Sequence, residues 1–384
     1  MDTTVGGNKR VRRAYGFDEV ALVPGALVID PRDVDVSWTL GGIRFGMPII
    51  AAALDGAVNP RLAAEMGKLG GLAVLNLDGI QSRYEDAEAV LQAIADAPAD
   101  GVVHFIQDLY AKELIKPHLI ARRVKEIRAA GVVCAVSAAP HTARVAAEAA
   151  VEAGASLFFI QSTVGTVRFE SSHVAAFDVA AFIESSPIPV VVGNTVGAAA
   201  TLELMRAGAA GVLVGIGPGQ ICTSRKVLGI GVPQITATAD CAGARDDYFA
   251  ETGRYVPVIT DGGIRNGGDI AKAIAAGADA VMLGSAIAAA AEAPAPGFSW
   301  GMATSSADLP RGTRIKVGIA GTLREILLGP AHRDDGTMNL VGALRLSMGS
   351  LGAHNLKEMQ QAEMMVAPSL PSEGKGLQRA QGVG

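Results

Sequence analysis

One stretch of the chain concentrates the residues best suited to covalent chemistry: Gly215-Ile216-Gly217-Pro218-Gly219-Gln220-Ile221-Cys222-Thr223-Ser224-Arg225. Its glycines and proline are incompatible with helix or ladder, and they make a tight loop whose amides are free to face a ligand. A cysteine at the end of such a loop sits among N–H dipoles that stabilise the thiolate and lower its pKa. Thr223 and Ser224 add hydroxyls beside it. The competing reading of Cys222 is a packed core thiol, the commoner fate of a free cysteine.

The elements that must position this loop follow a recurring unit, in which an alanine-rich helix ends at glycine and an apolar strand begins at once. Glu152-Ala153-Gly154-Ala155 leads into Leu157–Ile160, Arg206-Ala207-Gly208-Ala209 into Val212–Val214, and Ala275-Ala276-Gly277-Ala278 into Ala280–Leu283. Glycine at C′ closes each helix, and unbroken apolar strands imply burial on both faces. Strands are expected at 47–52, 71–75, 132–137, 156–161, 188–192, 211–215, 256–260 and 280–284. The apolar run Val102–Ile106 is ambiguous. Eight βα units favour an α/β fold of the (β/α)8 TIM-barrel type with parallel strands; a doubly wound sheet is the alternative. The expected organisation is a barrel over 15–330, a helical C-terminal part over 331–367 that completes it, and tails at 1–14 and 368–384.

In a barrel the chemistry belongs at the carboxyl ends of the strands. Asn76, Gln161, Gly193-Asn194-Thr195, the Cys222 loop, Asp261-Gly262-Gly263 and Gly284-Ser285 all fall there. The glycines after strands seven and eight suit a phosphate cradle, because they let backbone N–H groups approach an anion closely. Asp261 is an acceptor placed for ribose hydroxyls. The residues alone therefore point to a phosphate-bearing small molecule held next to a nucleophilic cysteine.

Composition narrows the partners. The 384 residues carry 47 glycines, 49% apolar and only 4% aromatic side chains, suiting short strands under small-residue helices. A net charge of −5 argues against nucleic acid or an anionic membrane as the main partner. No apolar stretch reaches the ~20 residues a bilayer needs, and no secretory signal is expected after Met1. Cys134, Cys222 and Cys241 give neither a disulfide framework nor metal-ligand spacing, which suggests a reducing cytoplasm. The histidines form no motif.

The loop Val214–Arg225, followed by Gly231-Val232-Pro233-Gln234-Ile235-Thr236, resembles the signature of the inosine-monophosphate dehydrogenase/GMP reductase family. So do Pro257–Arg265 with Gly268–Ala273, Ala280–Ser285, Phe17–Gly25 and Pro48–Asp55. The resemblance implies a cytoplasmic TIM-barrel oxidoreductase, a homotetramer or larger, acting on a purine 5′-monophosphate (GMP, IMP or XMP) with NADP(H) or NAD. Carried over by position, Cys222 is the nucleophile that bonds purine C2, and Ser224 stands where the family has a catalytic threonine. Asp261 is expected to bind ribose; Gly262, Gly263, Gly284 and Ser285 phosphate; Asn194 and Met302 the nucleotide pocket. Gln161 occupies the cofactor position, where the family has an acid. Carbonyls of Gly217, Gly219 and Cys222 resemble a loop that binds a monovalent cation, K+, completed by Glu373 of a neighbouring subunit.

Residues 76 to 131 are too few to hold the CBS pair that the dehydrogenases insert between strands two and three. A dehydrogenase also needs a base to hydrolyse its adduct, for which the family uses an Arg-Tyr flap. Between Gly301 and Arg311 no Arg-Tyr occurs, and Arg254-Tyr255 lies before strand seven as a decoy. The expectation is therefore reduction of GMP to IMP, with dehydrogenation of IMP to XMP as the alternative and a catalytically silent nucleotide-binding regulator as the other. Gln220 replaces a phosphate-binding serine. Arg311 stands where the reductase has a catalytic glutamate, whose substitutes nearest in sequence are Glu292 and Asp308.

Overall fold

The computed structural model describes residues 2–173, 176–301, 313–366 and the isolated positions 378 and 381. Eight parallel strands close into a barrel: β1 (Ile49–Ala51), β2 (Leu72–Asn76), β3 (Ala135–Ala138), β4 (Leu157–Gln161), β5 (Val190–Thr195), β6 (Gly211–Val214), β7 (Val258–Asp261) and β8 (Ala280–Leu283). Each pairs with the next, and β8 returns to β1 through Val281 opposite Ile49 and Leu283 opposite Ala51. All eight expected strands are present. Continuous apolar sequence made them legible, because side chains pointing into the barrel and side chains under the helices are both withdrawn from water.

The helices that precede β4, β6 and β8 are α5 (Ala143–Glu152), α7 (Ala198–Arg206) and α10 (Gly267–Ala275). Just past their ends, Gly154, Gly208 and Gly277 adopt φ of 100°, 99° and 108°. This left-handed turn, which a β-carbon disfavours, lets each strand start at once. Polar side chains start the helices: Asn59 Oδ1 accepts from the Leu62 amide at 2.9 Å at the head of α1 (Pro60–Lys68), and Asn266 caps α10 in the same way.

Two departures from expectation concern short segments. Val102–Ile106 belongs to a helix, α3 (Val102–Lys112), which follows α2 (Ala87–Asp96) and precedes α4 (Pro117–Ala129). The apolar positions that α3 buries, Val102, Ile106 and Tyr110, recur every four residues, a helical period visible only in a window longer than the run itself. Toward the C-terminus, α12 (Leu323–Leu328), α13 (Leu340–Ser350) and α14 (Leu356–Met359) follow the expected helical pattern. Met364–Val366 instead forms a strand that pairs antiparallel with Val20–Leu22.

The amino end of the barrel is a stability element. The hairpin of Trp38–Leu40 and Ile43–Phe45 covers it, with Trp38 Nε1 donating to the Met47 carbonyl at 3.0 Å. Asp279, buried just before β8, accepts from Arg245 Nη1 (3.1 Å), Tyr255 Oη (2.7 Å), Lys357 Nζ (2.6 Å) and the Val258 amide (2.9 Å). Arg254 donates to the carbonyls of Gly208 and Ala209. The Arg254-Tyr255 pair thus sits at the end opposite the strands' carboxyl termini. Asp279→Asn removes the charge that balances a buried guanidinium and should cost about 3–5 kcal/mol, read as a lower denaturation midpoint. Tyr255→Phe should cost about 1 kcal/mol, so equal losses in the two variants would contradict this assignment.

Candidate functional site

The loop after β6 is packed so tightly that Gly215 and Gly217 are obligatory. A β-carbon on Gly215 (φ 149°) would lie 2.2 Å from the Asp261 carbonyl oxygen, and one on Gly217 (φ 84°) would lie 2.6 Å from Arg225 Cγ. Arg225 packs against Gly217 and Gly231 and donates to the Val232 carbonyl at 2.8 Å, tying the loop's exit to its entrance. The Cys222 amide donates to the Gly219 carbonyl at 3.1 Å. This turn leaves Cys222 exposed, with Sγ 3.4 Å from Ser224 Oγ. Cys134 and Cys241 are buried, and burial pushes both thiols up to about 12. Cys222 is therefore the accessible thiol of the three, and the packed-core reading does not hold.

The loop after β7 lies against the cysteine loop. A β-carbon on Gly263 would sit 3.0 Å from Pro218 Cβ, and one on Gly262 3.4 Å from the Gly219 nitrogen. Gln234, near the start of α9 (Gln234–Thr252), donates through Nε2 to the Val214 carbonyl at 2.6 Å and to the Asp261 carbonyl at 3.4 Å, bridging the ends of β6 and β7. Asn194 Nδ2 donates to Asp261 Oδ2 at 2.7 Å. Burial raises the Asp261 carboxyl to about 6, and the Asn194 bond offsets part of that rise. After β8, Gly284 packs under Leu54, whose Cδ1 would be 2.8 Å from a β-carbon there, and Ser285 opens the one-turn helix α11 (Ser285–Ala288).

One cavity of about 440 Å³ collects these groups. Gln161, Asn194, Gly217, Gly219, Cys222, Ser224, Asp261, Gly262, Gly263, Gly284 and Ser285 all line it, as does Gln220. Its size lies within the usual range for small-molecule sites. Gln161 is pinned across the barrel mouth: its Oε1 accepts from Ser137 Oγ at 2.8 Å, and its Nε2 faces Met282 Sδ at 3.9 Å. Met302, Asp308, Arg311 and Glu373 lie outside the described residues. Among the described residues, no group of three or more His, Cys, Asp or Glu side chains could hold a metal ion.

Some placements differ from expectation. Asn76 does not reach the cavity; it is buried, donating to Asp55 Oδ1 at 3.3 Å and accepting from the Asp78 amide at 3.1 Å. Glu292 is no substitute acid, because its Oε2 accepts from the Leu323 amide at 2.8 Å, at the start of α12. Sequence reading also missed parts of the wall: Ala52–Leu54 after β1, Ala139-Pro140-His141 after β3, and Gly301. His141 carries no motif, but its place directly after a strand was the signal that could have found it.

The chain is similar to known proteins along most of its length. The family model for the IMP dehydrogenase / GMP reductase domain matches residues 14–372. Relatives described as uncharacterized oxidoreductases include one from Mycolicibacterium smegmatis, 40% identical over 94% of this chain and 99% of its own length. An inosine-5′-monophosphate dehydrogenase of Methanocaldococcus jannaschii is 29% identical, covering 92% of each chain. The crystal structure of an IMP dehydrogenase/GMP reductase-like protein from Corynebacterium glutamicum superposes with a TM-score of 0.90 at 33% identity, covering 95% of this chain and 98% of that one. A cysteine loop stacked on an Asp-Gly-Gly loop at the mouth of a closed barrel, together with these matches along nearly the whole chain, places the protein in the IMP dehydrogenase/GMP reductase family of oxidoreductases.

Proposed function

We propose that this protein is a GMP reductase, converting GMP to IMP and ammonia with NADPH. The observation that carries this reading is the short connection after Gly301, whose sequence holds no Arg-Tyr base for hydrolysis. Among the described residues that line the cavity, Asp261 is the only carboxylate, and it is already committed to Asn194. A dehydrogenase must activate water to hydrolyse its adduct, and the short connection from Gly301 to Arg311 holds no Arg-Tyr pair to do so. Reduction requires no activated water, because the covalent step expels ammonia and the next step delivers hydride.

In this reading the Cys222 thiolate attacks C2 of GMP, the C2–S bond forms, and the 2-amino group leaves as ammonia after gaining a proton. Ser224, 3.4 Å from the sulfur, is placed to exchange protons at that centre. Hydride for C2 would come from a reduced nicotinamide bound beside it. The C2–S bond then breaks, releasing IMP and returning the electron pair to the cysteine sulfur. Asp261 accepts from the ribose hydroxyls, while Gly262, Gly263, Gly284 and Ser285 hold the phosphate. The wall formed by Ala139–His141 and Gln161–Thr163, on the same cavity, would hold the nicotinamide cofactor. The Gly217, Gly219 and Cys222 carbonyls are the proposed cation ligands, completed by Glu373 of a neighbouring copy in a homotetramer. The alternative, oxidation of IMP with NAD, is favoured by the dehydrogenase names of the more distant relatives.

Two outcomes are expected. Purified protein should oxidise NADPH with GMP and leave NAD unreduced with IMP, and Cys222→Ala should lower turnover at least about a thousandfold. NADH formation from IMP and NAD alone would reverse the direction. Because the Asp261 carboxyl is raised to about 6, it is charged above that pH and neutral below it. A charged acceptor makes the stronger bond, so kcat/KM for the nucleotide should fall as pH drops through about 6. In Asp261→Asn that fall should shrink to the part that the nucleotide phosphate contributes, since its second ionisation also lies at about 6.

A further inference from the structure

The segment between β2 and α4 builds a small lobe with its own apolar cluster. Ile80, Leu91, Ile94, Val102, Ile106 and Tyr110 are buried there together with Trp300, which immediately precedes cavity-lining Gly301. The strand Phe298–Trp300 pairs with Arg314–Lys316. Arg314 packs over the Phe298 ring at 4.8 Å and donates to the carbonyls of Ile94 and Ala95 at the end of α2. The lobe therefore grips the strand that carries the cavity's Gly301 edge.

The lobe also reaches the opposite wall. The Tyr110 hydroxyl donates to the carboxylate of Asp55, which is 2% exposed and also accepts from the Ile80 amide at 2.9 Å and from Asn76 Nδ2. Asp55 directly follows Ala52–Leu54, and Leu54 packs on Gly284. Gly79 closes over Asp55 so tightly that a β-carbon there would lie 2.0 Å from Oδ1. Gly56 likewise faces the Trp300 ring, 2.8 Å from a β-carbon position. Elsewhere in the lobe the buried polar atoms Gln81 Nε2, Ser82 Oγ, Gln107 Nε2 and Ser299 Oγ have no hydrogen-bond partner. Polar contacts tie the lobe to the barrel at several points: Glu88 accepts from Asn59 Nδ2, Arg123 donates to the Gln81 carbonyl, and Asp78 accepts from the amide of cavity-lining Ala139. The Tyr110 bond to Asp55 reaches the chain just after Ala52–Leu54.

We propose that Tyr110, which touches no ligand, is a positioning residue of the cavity: its hydroxyl fixes the Ala52–Leu54 wall through Asp55, and its ring, clustered with Trp300, fixes Gly301. The inference rests on the nucleotide reading only for its kinetic consequence. A displaced Leu54 shifts Gly284 and hence the phosphate position, so ground-state binding suffers while chemistry at Cys222 continues.

Tyr110→Phe keeps the ring and removes the bond. Amide hydrogen exchange should quicken at residues 52–58, and the nucleotide KM should rise about tenfold with kcat within about twofold. Arg314→Met should quicken exchange at 297–301 and leave 52–58 protected. Wild-type exchange at 52–58 in a folded Tyr110→Phe protein overturns the proposal, as does a fall in kcat at constant KM. If Tyr110→Phe does not fold, Asp55→Asn decides by the same exchange readout. If the wild-type protein turns over no purine nucleotide, the proposed function fails, while the exchange measurements still decide the role of Tyr110.

Discussion

The site depends on a steric constraint at the mouth of the barrel: no β-carbon fits between the chain leaving β6 and the chain leaving β7. With Gly215 pressed against the Asp261 carbonyl and Pro218 lying over Gly263, the two loops are separated only by van der Waals contact. The positions of the Cys222 sulfur and the Asp261 carboxylate are therefore set by close packing of backbone, which tolerates little displacement. A side chain at 215 would have to part the two strands or expel the loop. Geometry of this kind supplies the orientation a covalent step needs before any electrostatic effect is counted.

Behind these loops runs α9, which acts as a spine for both strands. Gln234 bridges the carboxyl ends of β6 and β7, and Thr238 shares a buried 2.7 Å hydroxyl bond with Thr260 of β7. Thr201 of α7 meets Cys241 at 3.1 Å, and Arg245 closes on Asp279 at the opposite end. Positions 234, 238, 241 and 245 recur at three and four residues, so one helical face carries the whole series. The two ends of the spine differ in kind. At the amino end Asp279 is saturated with donors, whereas at the mouth Gln234 Oε1 is buried without a partner and Asp261 holds a raised pKa. The mouth thus keeps an unpartnered amide oxygen and a raised carboxyl, where the carboxylate at the amino end is fully bonded.

Much of this was legible in the sequence because it is local. An unbroken apolar run, in several cases directly behind a helix-closing glycine, reports burial on both faces, and such runs located all eight strands. The glycine loops identified the mouth because Gly215, Gly217, Gly262 and Gly263 adopt backbone conformations that side chains disfavour. What escaped was set by partners remote in sequence. Asn76 looks like a mouth residue until Asp55, 21 positions earlier, claims its amide. Glu292 looks available until the Leu323 amide, 31 positions on, takes its carboxylate. Tyr110 gave no signal at all, since its partner lies 55 residues away. Periodicity does not encode pairings of that kind, and composition does not either.

An uncharged amide at Gln161 fits the electrostatics of the proposed ligands. The proposed nucleotide brings a phosphate dianion and its cofactor brings further phosphates, all entering a protein whose net charge is already −5. Like charges confined near a low-dielectric wall repel strongly and are poorly screened. Among the described lining residues Asp261 is the only carboxylate; beside it stand the Cys222 thiol, the His141 imidazole, glycine backbone, hydroxyls, amides and apolar carbon. A second acid at 161 would add negative charge on the face opposite the phosphate loops. Gln161, held by Ser137 and carrying an N–H toward Met282, keeps a hydrogen-bonding group at that position without the charge. A lining with a single carboxylate thus suits the polyanionic ligands of the proposed reaction, because it adds little negative charge to theirs.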